Sequence, residues 1–152
     1  MEQTLLHICC APCSIMCIDT LRGEGIEPVG YWFNPNIHPK KEYKNRKNAL
    51  VEYARSIDLR LVLEGDYGLR EFLMATYPNF EARCAYCYES RLFAAAKYAA
   101  EHSFSSFSTT LLISPYQNHE LLRQTGERAA REYGISFLYR DFRPYFKEPQ
   151  QR

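Results

Sequence analysis

The sequence predicts an α/β protein of three layers, with a mainly parallel five-stranded sheet carrying helices on both faces. Two observations predict it. Short apolar runs alternate with helical patterns five times along the 152 residues, and the conspicuous motifs fall just after an apolar run or on the helix that follows one. Strands joined through helices run parallel, because each crossover is right-handed and buries a helix stripe against the sheet. At 46% hydrophobic residues the chain has enough apolar surface for one core, and it reads as a single domain over residues 1–152.

Leu5 to Cys9 reads as the first buried strand, and Ser14, Ile15, Ile18 and Leu21 then recur at helical spacing until Gly23 or Gly25. Val29 to Phe33 is the second strand, followed by the turn-rich loop Asn34-Pro-Asn-Ile-His-Pro39. From Lys40 to Ile57, Tyr43, Leu50, Val51, Ala54 and Ile57 share one helical face and leave the lysines on the other. Leu59 to Leu63 is the third strand, with a short helix expected at Leu69 to Met74. A long helix opens at Arg83 and runs to about His102, with Tyr88, Leu92, Ala95, Ala96 and Ala99 inward. Phe104 to Ile113 is expected to be the fourth strand. Asn118 is the expected N-cap of the last helix, which buries Leu122, Thr125, Ala129 and Tyr133 and stops at Gly134. Phe137 to Tyr139 closes the sheet as a fifth short strand.

Cysteine placement carries the chemistry. Three of six cysteines, Cys9, Cys10 and Cys13, lie within the strand-to-helix turn His7-Ile-Cys-Cys-Ala-Pro-Cys-Ser14. A packing cysteine needs no neighbouring thiol, whereas several thiols in one turn supply thiolates that bind metal or attack electrophiles. The unpaired N–H groups of a helix start favour the anionic forms, and Pro12 fixes the turn without removing a needed donor. Cys84-Ala-Tyr-Cys87 opens the long helix. In a doubly wound sheet both groups converge on the C-terminal edge of the strands. Their five thiols exceed the four of a closed zinc site, and the count favours iron. Cys17, one turn after Cys13, is expected in the core.

Other assignments stay open on the residues alone. Cys10-Ala-Pro-Cys13 also fits a metal-independent thiol–disulfide pair at a helix start, and a zinc-stabilised RNA-binding module uses the same residue types. Of the histidines only His38, in the loop after the second strand, is a site candidate. Asp66, Glu81 and Asp141 lie near loops; Asp141, directly after a strand, is the best of them, as an oxygen ligand to iron or a partner of Arg143. No glycine-rich phosphate-binding pattern supports a nucleotide cofactor. No signal peptide or membrane-spanning run is recognised, and the paired thiols favour a reducing cytoplasm.

The net charge of +1 names no partner, and its distribution says more than the total, fitting either a solvated helix face and polar tail or an RNA-binding surface. Lys40, Lys41, Lys44, Arg46 and Lys47 crowd one segment and Arg140, Arg143, Lys147 and Arg152 another. With 12 tyrosines the chain also has rings for stacking on bases.

Five ordered segments carry a family resemblance: His7-Ile-Cys-Cys-Ala-Pro-Cys-Ser14, Asn34-Pro-Asn-Ile-His-Pro39, Arg83-Cys-Ala-Tyr-Cys-Tyr88 with Arg91-Leu92, Thr109-Thr-Leu-Leu-Ile-Ser-Pro-Tyr-Gln117, and Asp141-Phe-Arg-Pro144. In them the sequence resembles the cobalamin-independent epoxyqueuosine reductases of the QueH type along nearly its whole length. The resemblance implies a fold similar to the nucleotide-binding HUP class, with the cysteine turn in place of the phosphate-binding loop. It implies a [4Fe-4S] cluster beside a mononuclear iron, an external electron donor, and deoxygenation of epoxyqueuosine in the anticodon loop of tRNA. On this reading Cys9, Cys10, Cys84 and Cys87 hold most of the cluster, while Cys13 lies beside it on the second iron with Asp141 as its catalytic companion. Lys40, Lys41, Lys44, Arg140 and Arg143 clamp phosphates, and Tyr116 stacks on a base, with Tyr31 and Trp32 near the same loops. Family members usually continue past Asp-Phe-Arg-Pro into a tail with a further cysteine pair. This sequence stops at Arg152, so either a truncation or a tail-less member is expected.

Overall fold

The computed structural model describes residues 2–9, 11–34, 40–64, 82–114 and 117–145. Its elements follow in the order β1 (Glu2–His7), α1 (Ala11–Gly23), β2 (Ile26–Trp32), α2 (Lys40–Ser56), β3 (Leu61–Leu63), α3 (Ala82–Glu101), β4 (Ser106–Thr109), α4 (His119–Tyr133) and β5 (Ser136–Phe137). A 3-10 turn, Thr110–Ile113, follows β4, and a second, Arg143–Tyr145, follows β5. The expected short helix at Leu69 to Met74 lies outside the described residues.

All pairings are parallel and the strand order is β3-β2-β1-β4-β5. The chain builds outward from β1 to one edge, then returns to β1's other side. The order therefore reverses between β1 and β4, and at such a point the C-terminal edge opens into a crevice. The cysteine turn begins at that crevice.

Helix α1 packs on β2 and α2, while α3 packs on β1, β4 and α4. Alternation along β2 serves both faces. Tyr31 turns toward α3, its ring centroid 5.3 Å from Tyr98, and Trp32 turns the other way to donate from Nε1 to the Tyr43 hydroxyl at 3.2 Å. Both rings are buried, as are Leu5, Leu6, Ile18, Leu50, Leu92 and Phe107. Fully burying one such side chain contributes about 1.5–3 kcal/mol. Among the described residues, no helix is long and apolar enough to cross a membrane.

Several boundaries move for local reasons. The strand expected from Phe104 to Ile113 ends at Thr109, whose side chain accepts from the Leu111 N–H at 3.2 Å and turns the chain into a 3-10 helix. Leu59 belongs to the close of α2, because its N–H bonds the Ala54 carbonyl. Tyr139 lies beyond β5, with its hydroxyl 2.6 Å from His119 Nε2. Ile15 and Tyr133, expected inward, are half-buried. The last helix begins and ends as its sequence predicts: Asn118 caps the Leu121 N–H, and Gly134 takes the left-handed conformation at φ 64°.

Candidate active site

The C-terminal ends of β1, β2 and β4 meet around one buried imidazole. His7, the last residue of β1, is fully buried. Its Nε2 lies 2.8 Å from Asn34 Oδ1 and its Nδ1 lies 2.9 Å from Thr109 Oγ1. Proton directions follow from the ends of the chain. Asn34 Nδ2 donates to the Ile8 carbonyl at 3.0 Å, so Oδ1 faces the ring and Nε2 carries the hydrogen. Thr109 Oγ1 accepts from the Leu111 N–H, which leaves its own proton for Nδ1. Burial above all, aided by the Arg91 guanidinium, holds the His7 pKa at about 4, so the ring is neutral at physiological pH. Arg91 is itself buried, one turn after Cys87 on α3.

Cys9 follows directly. Its N–H donates to Thr110 Oγ1 at 3.3 Å and its Sγ lies 3.6 Å from the same oxygen. Cys13 sits in the first turn of α1, half-buried like Cys9, and neither carries a disulfide. Cys17 is buried as expected; burial raises its thiol pKa, and its Sγ donates to the Cys13 carbonyl at 3.5 Å. It is a core residue.

Helix α3 comes to the same edge. The segment just past its lower end is tied to the start of the sheet through Ser105 N–H to the Gln3 carbonyl. From that level β1 climbs roughly 20 Å to Cys9, and α3 rises about the same distance back to Cys87. Near the top, the Tyr88 hydroxyl donates to Gln117 Oε1 at 2.7 Å and accepts from the Asn118 N–H at 3.0 Å. The backbone at Cys84 and Cys87 thus stands at the height of the cysteine turn; their side chains lie outside the description. Among the described residues no three His, Cys, Asp or Glu side chains form a metal-binding group.

The remaining predicted residues separate. Lys41 and Lys44 are exposed on the first turns of α2, at the cysteine edge. Asp141 and Arg143 form an exposed ion pair at 2.6 Å, and the hydrogen bond from Arg143 above all holds the Asp141 carboxyl at about 2. Arg140 instead pairs with Glu24 at 2.9 Å, just past the C-terminal end of α1. That end lies about 18 Å along the helix from the cysteine turn, so Arg140 is drawn away from the edge where it was expected. Tyr31 and Trp32 are core residues and offer no ring to a base. Cys10, His38, Asp66, Glu81 and Tyr116 lie outside the described residues, as does the Lys40 side chain.

Sequence reasoning passed over His7, Asn34, Thr109, Thr110 and Arg91 as site residues. One signal was present: His7 interrupts an apolar strand run, and a buried polar group there requires partners.

Residues 4–152 match the family described as "Epoxyqueuosine reductase QueH". The chain belongs to the QueH family. It is 35% identical over 146 residues to the epoxyqueuosine reductase QueH of Dehalococcoides mccartyi, covering 96% of this chain and 80% of that protein. Against the QueH of Haemophilus influenzae it is also 35% identical over 146 residues, covering 93% of this chain but 59% of that longer protein. The QueH of Thermotoga maritima is 31% identical over 151 residues, covering 94% and 76%. The family is one of oxidoreductases. Among solved structures, a predicted subunit of a tRNA methyltransferase from Methanocaldococcus jannaschii superposes with a TM-score of 0.58 at 14% identity, covering 89% of this chain and 66% of that one. This likeness is one of fold, a parallel α/β sheet with helices on both sides.

Proposed function

We propose that this chain is an epoxyqueuosine reductase acting on tRNA. Membership of the QueH family over residues 4–152 carries the reading, and the thiol-bearing turn at the sheet's switch point supports it. In the reaction two electrons and two protons release the epoxide oxygen as water and leave a carbon–carbon double bond. An external donor supplies the electrons.

A [4Fe-4S] cluster and an adjacent iron fit the residues present. Cys9 and Cys13 are half-buried without a disulfide, and the one described cysteine unsuited to ligation, Cys17, is sequestered in the core. Cys9, Cys10, Cys84 and Cys87 would hold the cluster and Cys13 the second iron, supplying electrons and a Lewis acid for the departing oxygen. Buried Arg91 adds positive charge beneath an anionic site. Neutral His7 holds the strand ends that carry the turn. Lys41 and Lys44 would meet the phosphates flanking the modified base, since backbone contacts position a nucleic acid without reading it.

An anaerobic assay on tRNA bearing epoxyqueuosine, with a strong reductant and with iron and sulfide analysis of the reconstituted protein, tests the reading. Queuosine formation with sulfide present is expected. Turnover that survives in Cys84→Ala and Cys87→Ala without metal would instead indicate a thiol–disulfide enzyme, and stoichiometric zinc without turnover a binding module.

A further inference from the structure

Two consecutive threonines stand where β4 becomes the 3-10 turn. In a continuing strand their side chains would point to opposite faces of the sheet. Because the chain turns at Thr109, both hydroxyls reach the first strand's C-terminal end and the residues just past it: Thr109 bonds the His7 ring, and Thr110 reaches Cys9. Thr110 is fully buried, so water does not compete for its hydroxyl.

The direction of that hydroxyl follows from the protons around it. The Cys9 N–H occupies a lone pair of Thr110 Oγ1 at 3.3 Å, and Cys9 Sγ lies 3.6 Å from the same oxygen. A sulfur that ligates a metal has lost its proton. The only hydrogen then available between the two atoms is the threonine's, and it points to sulfur.

We propose that Thr110 is a positioning residue for Cys9, whose hydroxyl holds the start of the cysteine turn and donates a hydrogen bond to the Cys9 sulfur, raising the reduction potential of the iron–sulfur group that this sulfur ligates. The inference rests on the iron–sulfur reading above. A hydrogen bond to a ligand sulfur stabilises the more negative, reduced state and so makes the group easier to reduce. Thr109 leaves the sulfur alone and acts on the ring, so the two threonines divide the work.

The test compares wild type, Thr110→Val and Thr110→Ser, each reconstituted anaerobically, with iron and sulfide counted and the midpoint potential followed by electron paramagnetic resonance. Thr110→Val, nearly isosteric but without the hydroxyl, is expected to move the midpoint to a more negative value at unchanged cluster content. Thr110→Ser is expected to stay at the wild-type value. An unchanged midpoint in Thr110→Val, or an equal shift in both variants, overturns the proposal. Should Thr110→Val fail to retain the cluster, Thr110→Ala is read in its place. If neither retains it while Thr110→Ser does, Thr110 is a structural support of the turn and the proposed effect on the potential is overturned; loss in Thr110→Ser as well overturns it too. A wild-type protein that takes up no sulfide overturns the iron–sulfur reading itself, a result distinct from all of these.

Discussion

His7 Nε2 and Asn34 Oδ1 lie 2.8 Å apart, and this contact joins the last residue of β1 to the segment leaving β2. Asn34 also donates to the Ile8 carbonyl, so one buried side chain serves both the ring and the backbone just ahead of Cys9. Removing it strands two buried polar groups, each at a cost of about 1–3 kcal/mol. Asn34→Ala is therefore expected to lower unfolding stability by roughly 2–6 kcal/mol. Urea denaturation measures this; a loss within experimental error would mean that water replaces the amide.

The same network makes a spectroscopic prediction. In the metal-free protein the His7 ring should carry its proton on Nε2, with Nδ1 accepting from Thr109. Nitrogen chemical shifts distinguish the tautomers, and a signal from Nδ1–H contradicts the assigned directions.

Acid should weaken the fold before the carboxylates titrate. The His7 ring in the unfolded chain takes a proton near 6.5, but the folded ring only near 4. Between those values the unfolded state binds more protons, so stability is complete above pH 6.5 and declines as pH falls toward 4. The integrated loss is on the order of 3 kcal/mol. Stability of the metal-free protein measured at intervals from pH 7.5 to 4.5 should fall along this limb, and a flat profile would show that His7 is solvated.

Gly126 on α4 has no room for a methyl group. A Cβ built there would lie 2.6 Å from two carbons of the Phe137 ring, which belongs to β5. Gly126→Ala should lift the helix from the edge strand despite alanine's better helix propensity, lowering stability by about 1–3 kcal/mol. A rise in melting temperature would show that the ring swings aside.

Lys41 and Lys44 are expected to bind phosphates, whereas Arg140 is held by Glu24 beyond the far end of α1. Replacing both lysines with glutamine should weaken tRNA binding and flatten its salt dependence by about one unit of slope for each lysine neutralised. Arg140→Gln should leave that slope unchanged. Titrations at several salt concentrations separate the two, and equal effects would indicate a diffuse electrostatic field.

Local pattern in the chain is enough to specify the alternation of strands and helices, the caps at Asn118 and Gly134, the core role of Cys17 and the cysteine turn at a helix start. Each depends on neighbours within one or two turns, where periodicity and turn chemistry act directly. Its five ordered segments also determined the family. Long-range packing alone brings Thr109 to His7 and Thr110 to Cys9, spends Tyr31 and Trp32 in the core and pairs Arg140 with Glu24. The reason is separation along the chain. His7 meets Asn34 27 residues away and Thr109 102 residues away. Such pairs exist because β1 lies between β2 and β4, an order set by how the strands pack and not by any local pattern.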